Sequence, residues 1–285
     1  MNEVTTFDLA LEIYRSQRRP GHTQLVLNDD YNGLCVFDIL TGKIALRIPF
    51  PAGYATNGCI DSWCVRADGD AVITFQDEED RACWFSLHDQ TSHIVEHPPW
   101  QITSGMPYDW RGDVLWAKDP DSFRFAVLRA GATAFQEDDG FQMTQENREW
   151  RRVLDRLRRA DARCLRVEPE HAHLLYVALN QPGTQVGIMG WVDQPDLVVP
   201  VDMPPPRIAA HQQQLFLLQE YEAVQVDAVG VVLHRFPVSD GFRFVGLDTV
   251  PVGDKAQAAL VLVSTNLDGG DMTRFTVYPL LERSS

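Results

Sequence analysis

Short runs of aliphatic, β-branched and aromatic residues recur along the chain. Each is followed by a polar turn and a second such run. The first members begin at Leu25, Ala71, Val114, Leu174, Leu215 and Leu260, with spacings of 46, 43, 60, 41 and 45 residues. Periods in this range mark a propeller or a solenoid. The second members include Leu34–Ile39, Ala82–Leu87, Phe123–Leu128, Gln185–Val192 and Ala223–Ala228, and turns such as Thr41-Gly42 lead on to a third. Short alternating strands joined by turn residues predict an antiparallel meander rather than βαβ units. Cys35 and Cys83 fall at matching places in the first two units, which supports the alignment.

A further strand precedes each unit and ends in a tight polar turn. Cys64–Phe75 (CVRADGDAVITF) and Arg166–Leu179 (RVEPEHAHLLYVAL) show this strand–turn–strand pattern, and Asp109–Ala117 shows a shorter version. Asp38–Lys43 reads Asp-x-x-Thr-Gly-Lys. On these motifs the chain resembles WD-repeat and related β-propellers over almost its whole length, although no unit carries a Trp-Asp pair at the end of its third strand. Leu175–Gly183 (LYVALNQPG) is similar to a strand and turn of lactonase-type propellers. The resemblance implies an all-β protein of six four-stranded blades forming a single domain over 1–285. The last unit supplies only three strands before the chain stops, and Val4–Ile13 is an orphan β-compatible segment. Pairing that segment into the last blade completes it and removes two exposed edges. The alternative architecture is a two-sheet sandwich.

The 60-residue interval predicts a loop–helix insertion over 136–162. Within ENREWRRVLDRLRRA, Trp150, Val153, Leu154 and Leu157 fall at i, i+3, i+4 and i+7, an apolar helical stripe. Arg148, Arg151, Arg152, Arg156, Arg158 and Arg159 occupy much of the remainder. Two readings follow: a cationic surface for an acidic partner, or a solvated face above a packed stripe.

Charge then narrows the partners. The 285 residues carry 25 Lys and Arg against 40 Asp and Glu, a formal charge of −15. Such a chain repels phosphate backbones, so nucleic acid is disfavoured and a basic protein partner is favoured. Five cysteines in a chain this long are not a disulfide framework. No apolar run reaches the roughly 18 residues of a membrane span, and the N-terminal residues lack the pattern of a signal peptide. These features predict a cytoplasmic location.

Catalytic and metal motifs are absent from the sequence. There is no phosphate-cradling glycine loop followed by Lys-Ser or Lys-Thr and no Gly-x-Ser-x-Gly elbow. His93 and His97 stand too far apart on a strand to share a metal, and His171 with His173 read as a turn pair. Asn266, Asp268 and Asp271 depart from calcium-loop spacing and read as a hairpin turn. The sequence therefore predicts no metal and no cofactor. Trp63, Trp100, Tyr108, Trp110 and Tyr221 lie in or beside predicted connections, where aromatics serve either as binding anchors or as seals between blades. With the arginines of the helix (Arg148, Arg151, Arg152, Arg156 and Arg159) they form the candidate binding set. The expected function is a non-catalytic protein-binding module, acidic enough to neutralise a basic partner as an immunity-type protein does. The alternative is a lactonase-like hydrolase with residues converging from several blades on a central channel.

Overall fold

In the computed structural model the described residues are 3–54, 60, 62–66, 68–76, 81–96, 109–111, 114–118, 125–129, 131–137, 162–168, 173–178, 184–190, 197–199, 207–211, 214–227, 231–253, 257–268 and 271–280. Their secondary structure is all β. Twenty-four strands form six four-stranded antiparallel sheets.

The first sheet holds β2 (Ser16–Arg18), β3 (Gln24–Asn28), β4 (Gly33–Asp38) and β5 (Lys43–Pro49) in that order. The second holds β6 (Ser62–Val65), β7 (Ala71–Gln76), β8 (Arg81–Ser86) and β9 (Thr91–Glu96). The third holds β10 (Asp109–Arg111), β11 (Val114–Lys118), β12 (Phe125–Arg129) and β13 (Gln136–Glu137). The fourth holds β14 (Ala162–Glu168), β15 (His173–Ala178), β16 (Thr184–Gly190) and β17 (Leu197–Val199). The fifth holds β18 (Arg207–His211), β19 (Gln214–Leu218), β20 (Glu222–Val226) and β21 (Val232–Pro237). The sixth runs β22 (Phe242–Pro251), β23 (Ala258–Asn266), β24 (Met272–Leu280) and then β1 (Thr5–Ala10) from the other end of the chain.

The N-terminal strand thus completes the last sheet, as the ends of the sequence imply. It is shorter than the expected Val4–Ile13. Thr5 to Ala10 pair in antiparallel register with Val277 to Met272. Leu11 and Ile13 lie beyond the ladder, where the Thr273 hydroxyl donates to the Leu11 carbonyl at 2.7 Å and accepts from the Ile13 N–H at 3.1 Å. The expected helical insertion also starts and ends differently. Gln136–Glu137 is a strand paired with β12 and Ala162 opens β14, while residues 138–161 lie outside the described set. His173 is the first residue of a strand rather than a turn residue.

Alternation explains the packing. On β3, Leu25 and Leu27 join a core cluster with Val261, Val263 and Phe275 of the sixth sheet. Val26, between them, joins Val72 and Phe85 of the second sheet. Successive side chains point to opposite faces, so a sheet sandwiched between two neighbours needs apolar residues at every position of its middle strands. That is why β3, β4, β7, β8 and β23 are nearly continuous apolar runs. The outermost strands β1, β5 and β21 instead keep partly exposed or polar positions. Shared cores join the second sheet to the third, the first to the second, the sixth to the first and the fifth to the sixth. The first strands β14 and β18 bring the fourth sheet beside the fifth.

Two local features show how closely the sequence is read. The Asp38 carboxylate accepts hydrogen bonds from the Leu40 and Thr41 N–H groups and from the Thr41 hydroxyl, closing the β4–β5 hairpin. Gly42 there has φ +67°, and a Cβ on it would run into the Phe7 ring of β1. Gly246, beside a bulge in β22, is backed by the Ser16 side chain of β2, so the first strands of the sixth and first sheets meet at a position that admits no side chain.

Candidate functional site

The antiparallel topology sorts the connections between the two ends of the sheets. One end carries the turns from second to third strands and the segments that pass from one sheet to the next. Hydrogen bonds tie these together. The Phe244 N–H donates to the Glu220 carbonyl, Val238 to Tyr221, and Leu267 to Gly241. The Glu12 N–H donates to the Asp30 carboxylate at 2.9 Å. The joining segments 11–15 and 238–241 are thereby welded to the β3–β4, β19–β20 and β23–β24 turns.

Asn28, fully buried at the end of β3, is the centre of this arrangement. Its Oδ1 accepts from the Tyr14 and Arg15 N–H groups at 3.0 and 2.9 Å. Its Nδ2 donates to the Glu12 and Asp30 carbonyls at 2.8 and 3.3 Å. Arg15 and Tyr14 then reach the next sheet. Arg15 Nε donates to the Ile60 carbonyl at 2.6 Å, and the Ile60 N–H donates to the Tyr14 hydroxyl at 3.1 Å.

A cleft of about 270 Å³ lies between the fifth and sixth sheets, its lining running from Ser239 and Phe244 at this end to Val4 and Tyr278 toward the other. Cross-strand register builds its wall on the sixth sheet. Asp8, Arg274, Ser264 and Phe244 form one row, and Thr6, Thr276 and Leu262 the next. Pro237, Val238 and Ser239 form the facing lip. The wall grades from hydroxyls and charge outside to apolar carbon inside. At depth the Phe236 ring meets the Tyr278 ring edge to face at 4.9 Å. Between the first and second sheets the same space is filled, with Phe50 stacked on Tyr54 at 4.6 Å and Ser92 donating to the Pro49 carbonyl.

Charge in the cleft is internally balanced. Arg274 donates from Nε and its NH2 group to the two Asp8 oxygens at 2.8 and 3.0 Å, and its guanidinium lies 4.5 Å over the Phe242 ring. The hydrogen bond from Arg274 holds the Asp8 carboxyl below its ordinary value, and Asp8 raises Arg274 in return. Burial raises the Tyr278 phenol. Tyr221, on the neighbouring β19–β20 turn, is raised by the hydrogen bond it donates to the Glu220 carboxylate. The groups lining the cleft can donate and accept hydrogen bonds and offer aromatic faces.

The aromatic and arginine residues singled out in the sequence do not assemble here as a set. Tyr221 does not line the cleft; it is 53% exposed on the β19–β20 turn, its carbonyl accepting from the N–H of the lip residue Val238. Trp63 sits on β6, half-buried against the core between the first and second sheets. Trp110 lies within strand β10, paired with Leu115, rather than in a connection. Trp100, Tyr108, Arg148, Arg151, Arg152, Arg156 and Arg159 lie outside the described residues. The sequence reading missed Thr6, Asp8, Arg274, Thr276 and Tyr278, which come from opposite ends of the chain. Setting the orphan N-terminal strand against the last strand in register would have put Asp8 opposite Arg274. Among the described residues no three His, Cys, Asp or Glu side chains group as a metal site requires, and no helix is long and apolar enough to cross a membrane.

No family model and no curated protein match the chain. Solved structures do. Raptor from Chaetomium thermophilum superposes with a TM-score of 0.61 at 13% identity, covering 98% of this chain. The chain spans 29% of the length of Raptor. A chain of a nidogen/laminin complex superposes with a TM-score of 0.50 at 10% identity, covering 80% of this chain and 81% of that one. At these identities the likeness is one of fold. With the six four-stranded sheets it defines this chain as an all-β, propeller-like protein.

Proposed function

We propose that the chain is a non-catalytic protein-binding module built as a closed six-bladed propeller of the cytoplasm, with a basic protein as its partner. The cleft between the fifth and sixth sheets carries this reading. Its wall offers hydroxyls, aromatic faces and a self-neutralised Asp8–Arg274 pair. That lining favours retention of a partner's side chains over chemistry on them. Closure is supported by the run of neighbouring sheets from the third through the second, first, sixth and fifth to the fourth, which leaves one junction to complete a ring. The buried thiols Cys35 and Cys83 support a reducing compartment. The formal charge of −15 supports a basic partner.

The test is capture from native lysate on the immobilised chain at low and high salt, with bound proteins identified by mass. A stoichiometric basic partner released by salt is the expected result. Retention of nothing at either salt, together with turnover of an ester or lactone panel, would replace this reading with a hydrolase. Small-angle scattering checks closure, since an open arc of sheets is longer than a flat disc.

A further inference from the structure

The end of the molecule that carries the welded connections gathers large exposed side chains, two of them aromatic, on one rim, whereas the opposite end exposes the aliphatic Val4, Leu40 and Val231. Tyr31, Tyr221, Leu267 and Met272 are 41%, 53%, 48% and 41% exposed. Tyr221 belongs to the β19–β20 turn, Leu267 and Met272 flank the β23–β24 turn, and Tyr31 belongs to the β3–β4 turn, so they span the consecutive fifth, sixth and first sheets. The chain of hydrogen bonds through Glu220, Gly241, Leu11 and Asp30 makes these turns one continuous rim. Tyr31 is also held from below, its ring stacked on Tyr14 at 6.0 Å. Large side chains exposed on a pre-ordered rim lose little entropy when a partner covers them.

The same rim is acidic. Glu12, Glu220, Asp240, Asp268 and Asp271 are exposed along it, and Asp30 is half-exposed, against the exposed Arg243 and an exposed Arg47 that pairs with Asp29. At the opposite end ion pairs offset part of the charge, with Glu3 and Asp89 exposed beside them. Arg19 pairs with Asp70 and Arg66 with Asp68, with Lys43 close by in sequence to Asp38. The excess negative charge at the described ends of the sheets is therefore concentrated where the aromatic and thioether side chains are presented.

We infer that the rim over the fifth, sixth and first sheets is the docking surface, and that it takes a protein segment in which Lys or Arg residues flank apolar or aromatic ones. The inference rests on the binding-module reading and specifies its face and its partner chemistry. Apolar partner side chains cover Tyr31, Tyr221, Leu267 and Met272, while cations meet the surrounding carboxylates. Rim charges of this kind set the association rate and its salt dependence more than the final affinity, and aromatic anchors set the dissociation rate.

The experiment selects a displayed random-peptide library on the immobilised full-length chain and measures the enriched peptides against surface variants. Enriched sequences should pair Lys or Arg with Trp, Tyr, Phe or Leu. Their affinity should fall about tenfold or more in Tyr221→Ala and in the double variant Tyr31→Ala with Met272→Ala. Asp268→Lys with Asp271→Lys should lower the association rate and flatten its salt dependence. Leu40→Ala with Val231→Ala, exposed on the opposite end, should change nothing, and all variants are checked for an unchanged melting transition. Enriched peptides that are neutral or acidic, or that survive the rim variants and are lost with Leu40 and Val231, overturn this surface while leaving the binding-module reading intact. A selection that enriches no peptide counts against both.

Discussion

Asn28 is expected to carry an unusually large share of the stability for a single polar side chain. Its amide makes four hydrogen bonds, two accepted from the Tyr14 and Arg15 N–H groups and two donated to the Glu12 and Asp30 carbonyls, which is its full donor complement and both acceptor sites. Asn28→Ala removes all four. The lost bonds cost about 0.5–1.5 kcal/mol each, and water that enters to satisfy the orphaned N–H groups recovers part of this. The expected loss is about 3–4 kcal/mol, a large fraction of the 5–15 kcal/mol typical of a domain.

The loss has a location as well as a size. Residues 12–15 join β1, in the sixth sheet, to β2, in the first, so Asn28 holds the segment that carries the N-terminal strand into its ladder. Urea unfolding followed by tryptophan fluorescence measures the total. Amide exchange measures the place: an opening that frees β1 also breaks the Asn28 bonds, so the β1 amides from Thr5 to Ala10 should exchange at least about 100-fold faster in the variant. A loss under about 1 kcal/mol, or β1 exchange left unchanged while β23 exchange accelerates, would refute the idea that this amide latches the terminus.

Other substitutions probe separate links. Gly42→Ala should cost at least about 1–2 kcal/mol, because the residue has φ +67° and its Cβ displaces Phe7, whereas Gln90→Gly, at φ +59° in the corresponding turn of the second sheet, should be neutral or stabilising; thermal melts compare them. Asp8 is held below its ordinary value by Arg274, so its contribution is present at neutral pH and lost as pH falls through that depressed value. Because both side chains are partly exposed, the effect is under about 1 kcal/mol, and Asp8→Asn should flatten the acid limb of the stability curve by that amount. Burial pushes the Cys35 thiol up to about 12 and Cys83 higher still, so a maleimide at pH 8 should label half-buried Cys64 well before either in the native chain, as read by peptide mass mapping.

The repeat was legible in the sequence because a strand buried on both faces must be apolar at nearly every position. Leu25–Leu27, Ala71–Phe75 and Leu260–Val263 stand out for that reason. The hairpin at Asp38–Gly42 was legible because an Asx turn followed by a left-handed residue has few sequence solutions. The N-terminal strand was placed by counting strands, and its excess length came from reading Leu11 and Ile13 as ladder residues. They are apolar because they join the core between the sixth and first sheets, beyond the last strand pair. The cleft was not legible. Asp8 and Arg274 are 266 residues apart, and each reads by itself as an ordinary polar position on an alternating strand. Tyr31 and Met272 gave no signal either, since single exposed apolar residues are common and only their convergence on one end is informative.

The stability of the latch and the integrity of the proposed surface are consequently one physical problem. Glu12 and Asp30 contribute carboxylates to the rim, and both are positioned by backbone groups bonded to Asn28. Thr273, next to Met272, is bonded to the same N-terminal segment through Leu11 and Ile13. A buried polar side chain at the end of β3 and another near the start of β24 thus fix where the rim's charges and apolar groups stand. Asn28→Ala should therefore weaken peptide binding at a temperature where the chain is still folded, by loosening residues 11–15 and the turns bonded to them. Tyr221 lies on the β19–β20 turn, held through Phe244 and Val238 rather than through Asn28. Its contribution should survive the Asn28 variant, so the affinity lost to Tyr221→Ala should be the same in either background. Strong coupling between the two substitutions would show that the rim behaves as a single cooperative unit, with the latch reaching Tyr221 across the whole sixth sheet.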